Sequence, residues 1–308
     1  MNLDGLKIFS SVFLSLSLLS VGGPVLGELI ATLAPVFPKS ATFSVDELGI
    51  PYESVAFPTT DNLTLRGWFF PAEKLDAPAI LYAPATAHDL RSGLSFVTPL
   101  HHAGYHVLLF SYRGHGLSDG NPFGFTYGAL ESEDVDAAVQ YLYEARGINQ
   151  IGAIGHSVGA VSIILSAARN PNIGAVVAAS PFNSVEEIWE TNRPTLVPKP
   201  VLDFSMWMSE LRKGFTRTDI RPEDVIAKIS PRQLLIIHGS EDKRITEQQV
   251  MRMFTTAQNP KRLWIVEGAS HSGVRSPALD VLMQNIIAFL DDALIPSVEL
   301  TSNLPETQ

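Results

Sequence analysis

The chain has 308 residues, 45% hydrophobic and 18% charged, which is ordinary globular composition and long enough to bury a core without staples. Thirty-two acidic against twenty-two basic residues give a net charge of −10 and a pI near 5.2, so the electrostatic footprint of a nucleic-acid binder is missing. With no Cys, the chain has no disulfides, thiolate metal sites or cysteine nucleophile, and the compartment stays open.

Residues 8–27 are uncharged: eleven aliphatic or Phe, five Ser, three Gly and Pro24, behind a basic start of Lys7 offset by Asp4. A signal peptide needs a basic start, a short apolar stretch and small residues before the cut, for which Val25 and Gly27 would serve. A spanning helix needs about 20 predominantly apolar residues. The stretch is therefore expected to be either a cleaved signal or a retained membrane anchor, with a buried helix as the plain alternative. Either favoured reading makes the protein membrane-associated or exported. Residues 28–49 read as a linker.

From residue 50 the texture changes. Windows 52–58 and 62–70 read as two strands joined by the turn Thr59-Thr60-Asp61. Windows 79–83, 106–111, 150–155, 175–180, 234–238 and 263–267 are short and rich in Val, Ile and Leu without alternation, as parallel strands buried on both faces should be. Helical patterns at 129–145, 159–169, 246–257 and 278–294 lie between them. This alternation predicts an α/β protein with a mostly parallel central sheet and helices on both faces. Between 181 and 229 the pattern breaks off, and Trp189, Phe204, Met206, Trp207 and Met208 occur among Pro and charges. That reads as a small inserted cap whose aromatic and Met side chains either line an acyl pocket or pack the cap onto the sheet. Residues 295–308 read as a frayed tail.

Chemistry in such sheets gathers at the carboxyl ends of the strands. After the strand at 150 comes Gly155-His156-Ser157-Val158-Gly159, followed at once by a helical run: G-x-S-x-G in its strand-turn-helix setting. The glycines answer crowding, because side chains there would collide with neighbouring backbone. A Ser hydroxyl needs a base and an orienting acid. His271 lies in a loop after the last strand, flanked by small residues that suit a ring free to swing toward Ser157. Asp242 follows the preceding strand, with Glu241 as the alternative acid, and the order Ser157, Asp242, His271 is the one this architecture uses. The bland readings are an idle Ser in a Gly-rich turn, a turn Asp and a solvated imidazole.

Phe110-Ser111-Tyr112-Arg113-Gly114-His115-Gly116-Leu117-Ser118-Asp119-Gly120, the pentapeptide around Ser157, Ile236-Ile237-His238-Gly239-Ser240-Glu241-Asp242 and Gly268-Ala269-Ser270-His271 together resemble the α/β-hydrolase superfamily from about Tyr52 to Leu294. The nearest resemblance is to serine aminopeptidase-like and membrane-anchored esterase branches. It implies one α/β-hydrolase domain over 50–294 and two backbone N–H groups aimed at a developing oxyanion. By position those donors are Val158 and Ala85. Pro84 cannot donate, and a one-residue displacement of the loop would make the donor Thr86.

His115 and Arg113 read as a turn whose Arg ties loops together. Glu131, Asp134 and Asp136 read as a solvated or helix-start acidic face, and adjacent His101 and His102 show no metal spacing. The expected activity is a serine hydrolase cleaving a carboxylic ester or thioester of a small-molecule acyl substrate, with catalytic Ser157, Asp242 and His271. No cofactor, metal or nucleic-acid partner is implied. A serine aminopeptidase is the alternative, with Glu186, Glu187 or Glu190 holding the free amine. A catalytically idle binding scaffold is the alternative from another class.

Overall fold

The computed structural model describes residues 44–86, 88–122, 124–193, 197–275 and 279–295. The signal or anchor expected over 1–27, most of the linker and the tail beyond Ile295 lie outside these residues. Among the described residues no helix is long and apolar enough to cross a membrane.

The strands are β1 (Glu53–Pro58), β2 (Thr64–Phe70), β3 (Ala79–Ala83), β4 (His106–Ser111), β5 (Ile151–His156), β6 (Ile173–Ala179), β7 (Gln233–Gly239) and β8 (Lys261–Val266). Every boundary falls within two residues of the sequence window, because short runs of Val, Ile and Leu end where turn residues begin. These strands form one sheet in the order β1-β2-β4-β3-β5-β6-β7-β8. β1 and β2 form the expected hairpin, β2 runs antiparallel to β4, and pairing from β4 to β8 is parallel. β3, β4 and β5 are buried at every residue, as strands with apolar centres covered on both faces should be.

The helices are α1 (Leu94–His102), α2 (Ala129–Gln140), α3 (Val158–Ala167), α4 (Val185–Thr191), α5 (Lys199–Lys213), α6 (Pro222–Val225), α7 (Glu247–Thr256) and α8 (Leu279–Leu294). One face of the sheet is covered by α2, α3 and α7 through Val135, Val139, Val161, Ile164, Val250 and Met253. The other is covered by α1 and α8 through Leu94, Val97, Leu100, Met283, Ile286 and Leu290. Each such side chain contributes about 1.5–3 kcal/mol over its exposed state, so both faces are strongly specified. The helices of the β6–β7 connection, α4 to α6, occupy the stretch where the strand pattern stops.

Three expectations about helices are corrected. Helix α1 has no counterpart in the sequence reading, because Pro99 stands inside it and interrupts the pattern that would announce a helix. The helix expected over 129–145 leaves α geometry at Gln140 and ends in a π-type turn, Tyr141–Ala145. The acidic face of α2 is not solvated: Glu131 and Asp134 are fully buried. Glu131 does act at the helix start, accepting from the amides of Thr126 and Gly128 and from the Thr126 hydroxyl. Asp134 faces the turn after β4, where it accepts from the Arg113 amide and pairs with its guanidinium at 2.7 Å. Asp136 accepts from Ser166 and Arg169 of the α3 region. These carboxylates join α2 to its neighbours. Arg113, also bonded to Asp61 at 2.8 Å, ties loops as expected.

The strand order positions the site. The chain leaves β3 for β4 across the α1 face, then returns past β3 to β5, which feeds α3 on the opposite face. Connections after β3 and β5 therefore diverge, and a crevice opens at their carboxyl ends.

Candidate active site

Ser157 stands between the last residue of β5 and the first of α3, with φ 57° and ψ −118°. Few non-glycine residues adopt a positive φ, and here the surroundings enforce it. The Ser157 amide donates to the Ala179 carbonyl of β6 at 2.8 Å. A Cβ on Gly155 would lie under 3.0 Å from the Gly159 carbonyl, and one on Gly159 equally close to the carbonyls of Ala83 and Pro84. The crowding read from the sequence is thus real, and it also packs the start of α3 against the end of β3. The turn lifts the Ser157 hydroxyl out of the sheet, where it is partly exposed.

His271 Nε2 lies 3.1 Å from Ser157 Oγ, and its Nδ1 lies 2.7 Å from Asp242 Oδ2. The structure therefore brings together the three side chains that the sequence singled out. Asp242 is 8% exposed, and its second oxygen accepts from the amides of Arg244 at 2.9 Å and Ile245 at 3.1 Å. Burial works against ionisation of Asp242. The hydrogen bond and charge of His271, with the two amides, outweigh it and hold the carboxyl below the ordinary carboxylate range. Glu241 is exposed, and the acid hydrogen-bonded to His271 is Asp242.

The His271 ring does not swing freely, as its small neighbours suggested. It is 9% exposed, and a residue that the sequence reading passed over holds its backbone. His156 Nε2 bonds the His271 carbonyl at 2.7 Å, across 115 residues of chain. The signal lies inside the pentapeptide itself, between its first glycine and its serine. His238, fully buried, lies 3.9 Å from Asp242, and burial pushes its imidazole below the ordinary value and keeps it neutral. His115 is buried in its turn with Nδ1 against the Arg113 carbonyl, apart from the other three side chains.

A cavity of about 470 Å³ opens beside Ser157 and His271. Its walls are Thr86 and Val158, apolar Tyr127, Phe182, Ile188, Trp189 and Leu202, and polar Asn192, Arg193 and Arg244. Val158 opens α3, so its amide has no acceptor within the helix. Ala85 is buried just behind Thr86, next to the carbonyls that Gly159 approaches. Of the aromatic and Met residues expected to line a pocket, Trp189 does. Met206 is buried against the core, while Phe204 and Trp207 meet at a tilt, half-exposed. Glu187 pairs with Arg252 and Glu190 with Arg193, and none of the three glutamates proposed to hold an amine lines the cavity. Among the described residues no three His, Asp or Glu side chains converge to hold a metal ion.

A mostly parallel sheet, helices on both faces, and a strained serine between β5 and α3 define the α/β-hydrolase fold. Residues 80–282 match the model of the α/β hydrolase family, and the chain belongs to that family. It is 27% identical over 253 residues to the uncharacterised protein YfhR of Escherichia coli K12, covering 79% of this chain and 82% of that protein. An uncharacterised protein of Mycobacterium tuberculosis is 29% identical over 247 residues, with 78% and 80% covered. Among solved structures, the esterase Pf2001 of Pyrococcus furiosus superposes with a TM-score of 0.69 at 20% identity, covering 83% of this chain and 97% of that one.

Proposed function

We propose that the protein is a serine hydrolase of carboxylic esters or thioesters that works through an acyl-enzyme intermediate. The observation that carries this reading is the unbroken hydrogen-bonded line from Ser157 through His271 to Asp242, opening on a cavity. In the proposed reaction His271 Nε2 takes the Ser157 proton as Oγ attacks the substrate carbonyl. Asp242 fixes the His271 tautomer through Nδ1 and stabilises the imidazolium that forms. The amides of Val158 and Ala85 hold the oxyanion, with Thr86 as the donor if the loop presents the next residue. His271 then returns its proton to the leaving alkoxide or thiolate. Water, deprotonated by the same ring, releases the acid and restores Ser157.

The apolar walls from Tyr127, Phe182, Ile188, Trp189 and Leu202 suit an acyl chain. Likeness in fold to a protein named an esterase agrees with this choice. No observation favours the aminopeptidase alternative, since none of Glu186, Glu187 and Glu190 lines the cavity and the latter two are paired with arginines. The leader or anchor at 1–27 stands as a proposal from the sequence, checked by mass spectrometry of the native N-terminus.

The test is hydrolysis of p-nitrophenyl acetate and butyrate by wild type and Ser157→Ala, with labelling by a fluorophosphonate. Ser157-dependent turnover and labelling are expected. Equal rates in the two proteins, or an unlabelled Ser157, would leave an idle scaffold.

A further inference from the structure

The cavity beside Ser157 is apolar over most of its wall, yet all its formal charge is of one sign. Arg193 and Arg244 line it, and among the described residues no Asp or Glu does. In a chain of net charge −10 this is a local reversal. The two arginines differ in what they already hold. Arg193 is occupied, with Nε on Glu190 at 3.0 Å and Nη1 on the Val197 carbonyl at 2.5 Å. Arg244 has no carboxylate within ion-pair distance among the described residues. Among the described residues its hydrogen bonds are made by the main chain.

Those main-chain bonds root the side chain. The Arg244 amide donates to Asp242 Oδ1 at 2.9 Å, and its carbonyl accepts from Asn192 Nδ2 at 3.1 Å. The backbone of Arg244 is thereby tied both to the acid beside His271 and to the end of α4. Arg244 is exposed, and it lines the same cavity as Ser157. A guanidinium fork offers two parallel N–H donors, the pattern that a carboxylate accepts.

We infer that the site takes esters carrying a carboxylate a few atoms from the scissile carbonyl, and that Arg244 binds that carboxylate. This inference rests on the serine-hydrolase reading and adds the substrate class. The carboxylate can sit on the acyl side, as in a dicarboxylic half-ester, or on the alcohol side. The same fork serves both.

The test uses the full chain and three esters: neutral p-nitrophenyl butyrate, the p-nitrophenyl half-ester of glutaric acid, and 4-butyryloxybenzoate, whose carboxylate lies on the leaving alcohol. The readout is the ratio of kcat/KM for each carboxylated ester to that for its neutral counterpart, phenyl butyrate serving for the third. One carboxylated ester is expected to be favoured, and which one identifies the side. Arg244→Gln should lower that ratio about 10-fold, the scale of a partly exposed charge-assisted contact, while Arg244→Lys keeps part of it. Arg244→Glu should favour a choline ester instead. The wild-type preference should also fall with added salt.

A wild-type ratio of one or below for both carboxylated esters, or a ratio that Arg244→Gln leaves unchanged, overturns the inference. Neutral-ester turnover lost in Ser157→Ala would still uphold the hydrolase reading in that case. Neutral-ester turnover that persists in Ser157→Ala, or absence of any turnover, removes both.

Discussion

Replacing Asp242 by Asn keeps the shape of the side chain and removes its charge. In the structure Oδ1 accepts two amide hydrogens, from Arg244 and Ile245, and Oδ2 faces His271 Nδ1 at 2.7 Å. The amides fix the Asn oxygen on their side, so its NH2 must face His271. Nδ1 then becomes the acceptor, Nε2 carries the proton, and the lone pair that should receive the Ser157 hydrogen is gone. The variant also loses the attraction between the carboxylate and the imidazolium of the transition state. At about 4 Å and an effective dielectric constant near 20, that attraction is about 4 kcal/mol, or about a thousandfold in rate. With the wrong tautomer added, kcat for p-nitrophenyl butyrate should fall by about 10³–10⁴. Fluorophosphonate labelling should slow in parallel, while Glu241→Gln, which touches neither Ser157 nor His271, should leave the rate within about twofold. Stability gives an independent readout. The Asp242 carboxyl is held below its ordinary value of 3.8, so its contribution is fully present above that pH and is lost as pH falls through the lower folded value. The melting-temperature deficit of Asp242→Asn should therefore be full at pH 5 and above and shrink toward pH 3. A folded variant that loses less than about tenfold in kcat would refute the proposed role of Asp242.

Three further outcomes follow from neighbouring contacts. Ala85→Pro deletes one proposed oxyanion donor and should lower kcat about a hundredfold or more with little change in melting temperature. If the loss appears in Thr86→Pro and not there, the donor is the Thr86 amide. His156→Leu leaves the buried His271 carbonyl without its 2.7 Å partner. It should cost about 1–3 kcal/mol in urea unfolding and lower kcat more than it raises KM; an unchanged kcat would show that His271 is held without it. Arg113→Met strips the cation from buried Asp134 and should destabilise by about 3–5 kcal/mol. Burial already raises the Asp134 carboxyl, to about 7, against the pull of Arg113, so without that pull its proton is held to higher pH. Because its unfolded value is lower, the variant should lose stability as pH rises from 5 to 8, and a flat profile would contradict the ion pair's weight.

Much of the fold could be read along the chain because its signals are local. β3 is an unbroken apolar run and β4 an apolar run between His106 and Ser111, and their limits in the sequence and the structure coincide. Helix α7 shows the opposite pattern, a capped amphipathic run from Thr246 onward. Where a local signal is contradicted by its own residue, as Pro99 does in α1, the element escapes notice. The burial of the acidic residues of α2 is illegible in the sequence for another reason. Asp134 in a helical pattern carries the same local signal whether it faces water or Arg113, and only the approach of the turn after β4 decides between them.

The sequence by itself determined the strands, the sharp turn at Ser157 and the chemical types of the three side chains that meet there, because apolar period and glycine crowding act over a few residues. Tertiary structure alone decided that His271 is pinned through His156, that Glu187 and Glu190 are paired with arginines, and that Arg244 lines the cavity with no carboxylate partner among the described residues. Each of these depends on which elements the strand order β4-β3-β5 and the β6–β7 connection bring side by side. Charge pairing and burial are properties of such encounters, and no single stretch of chain contains both partners.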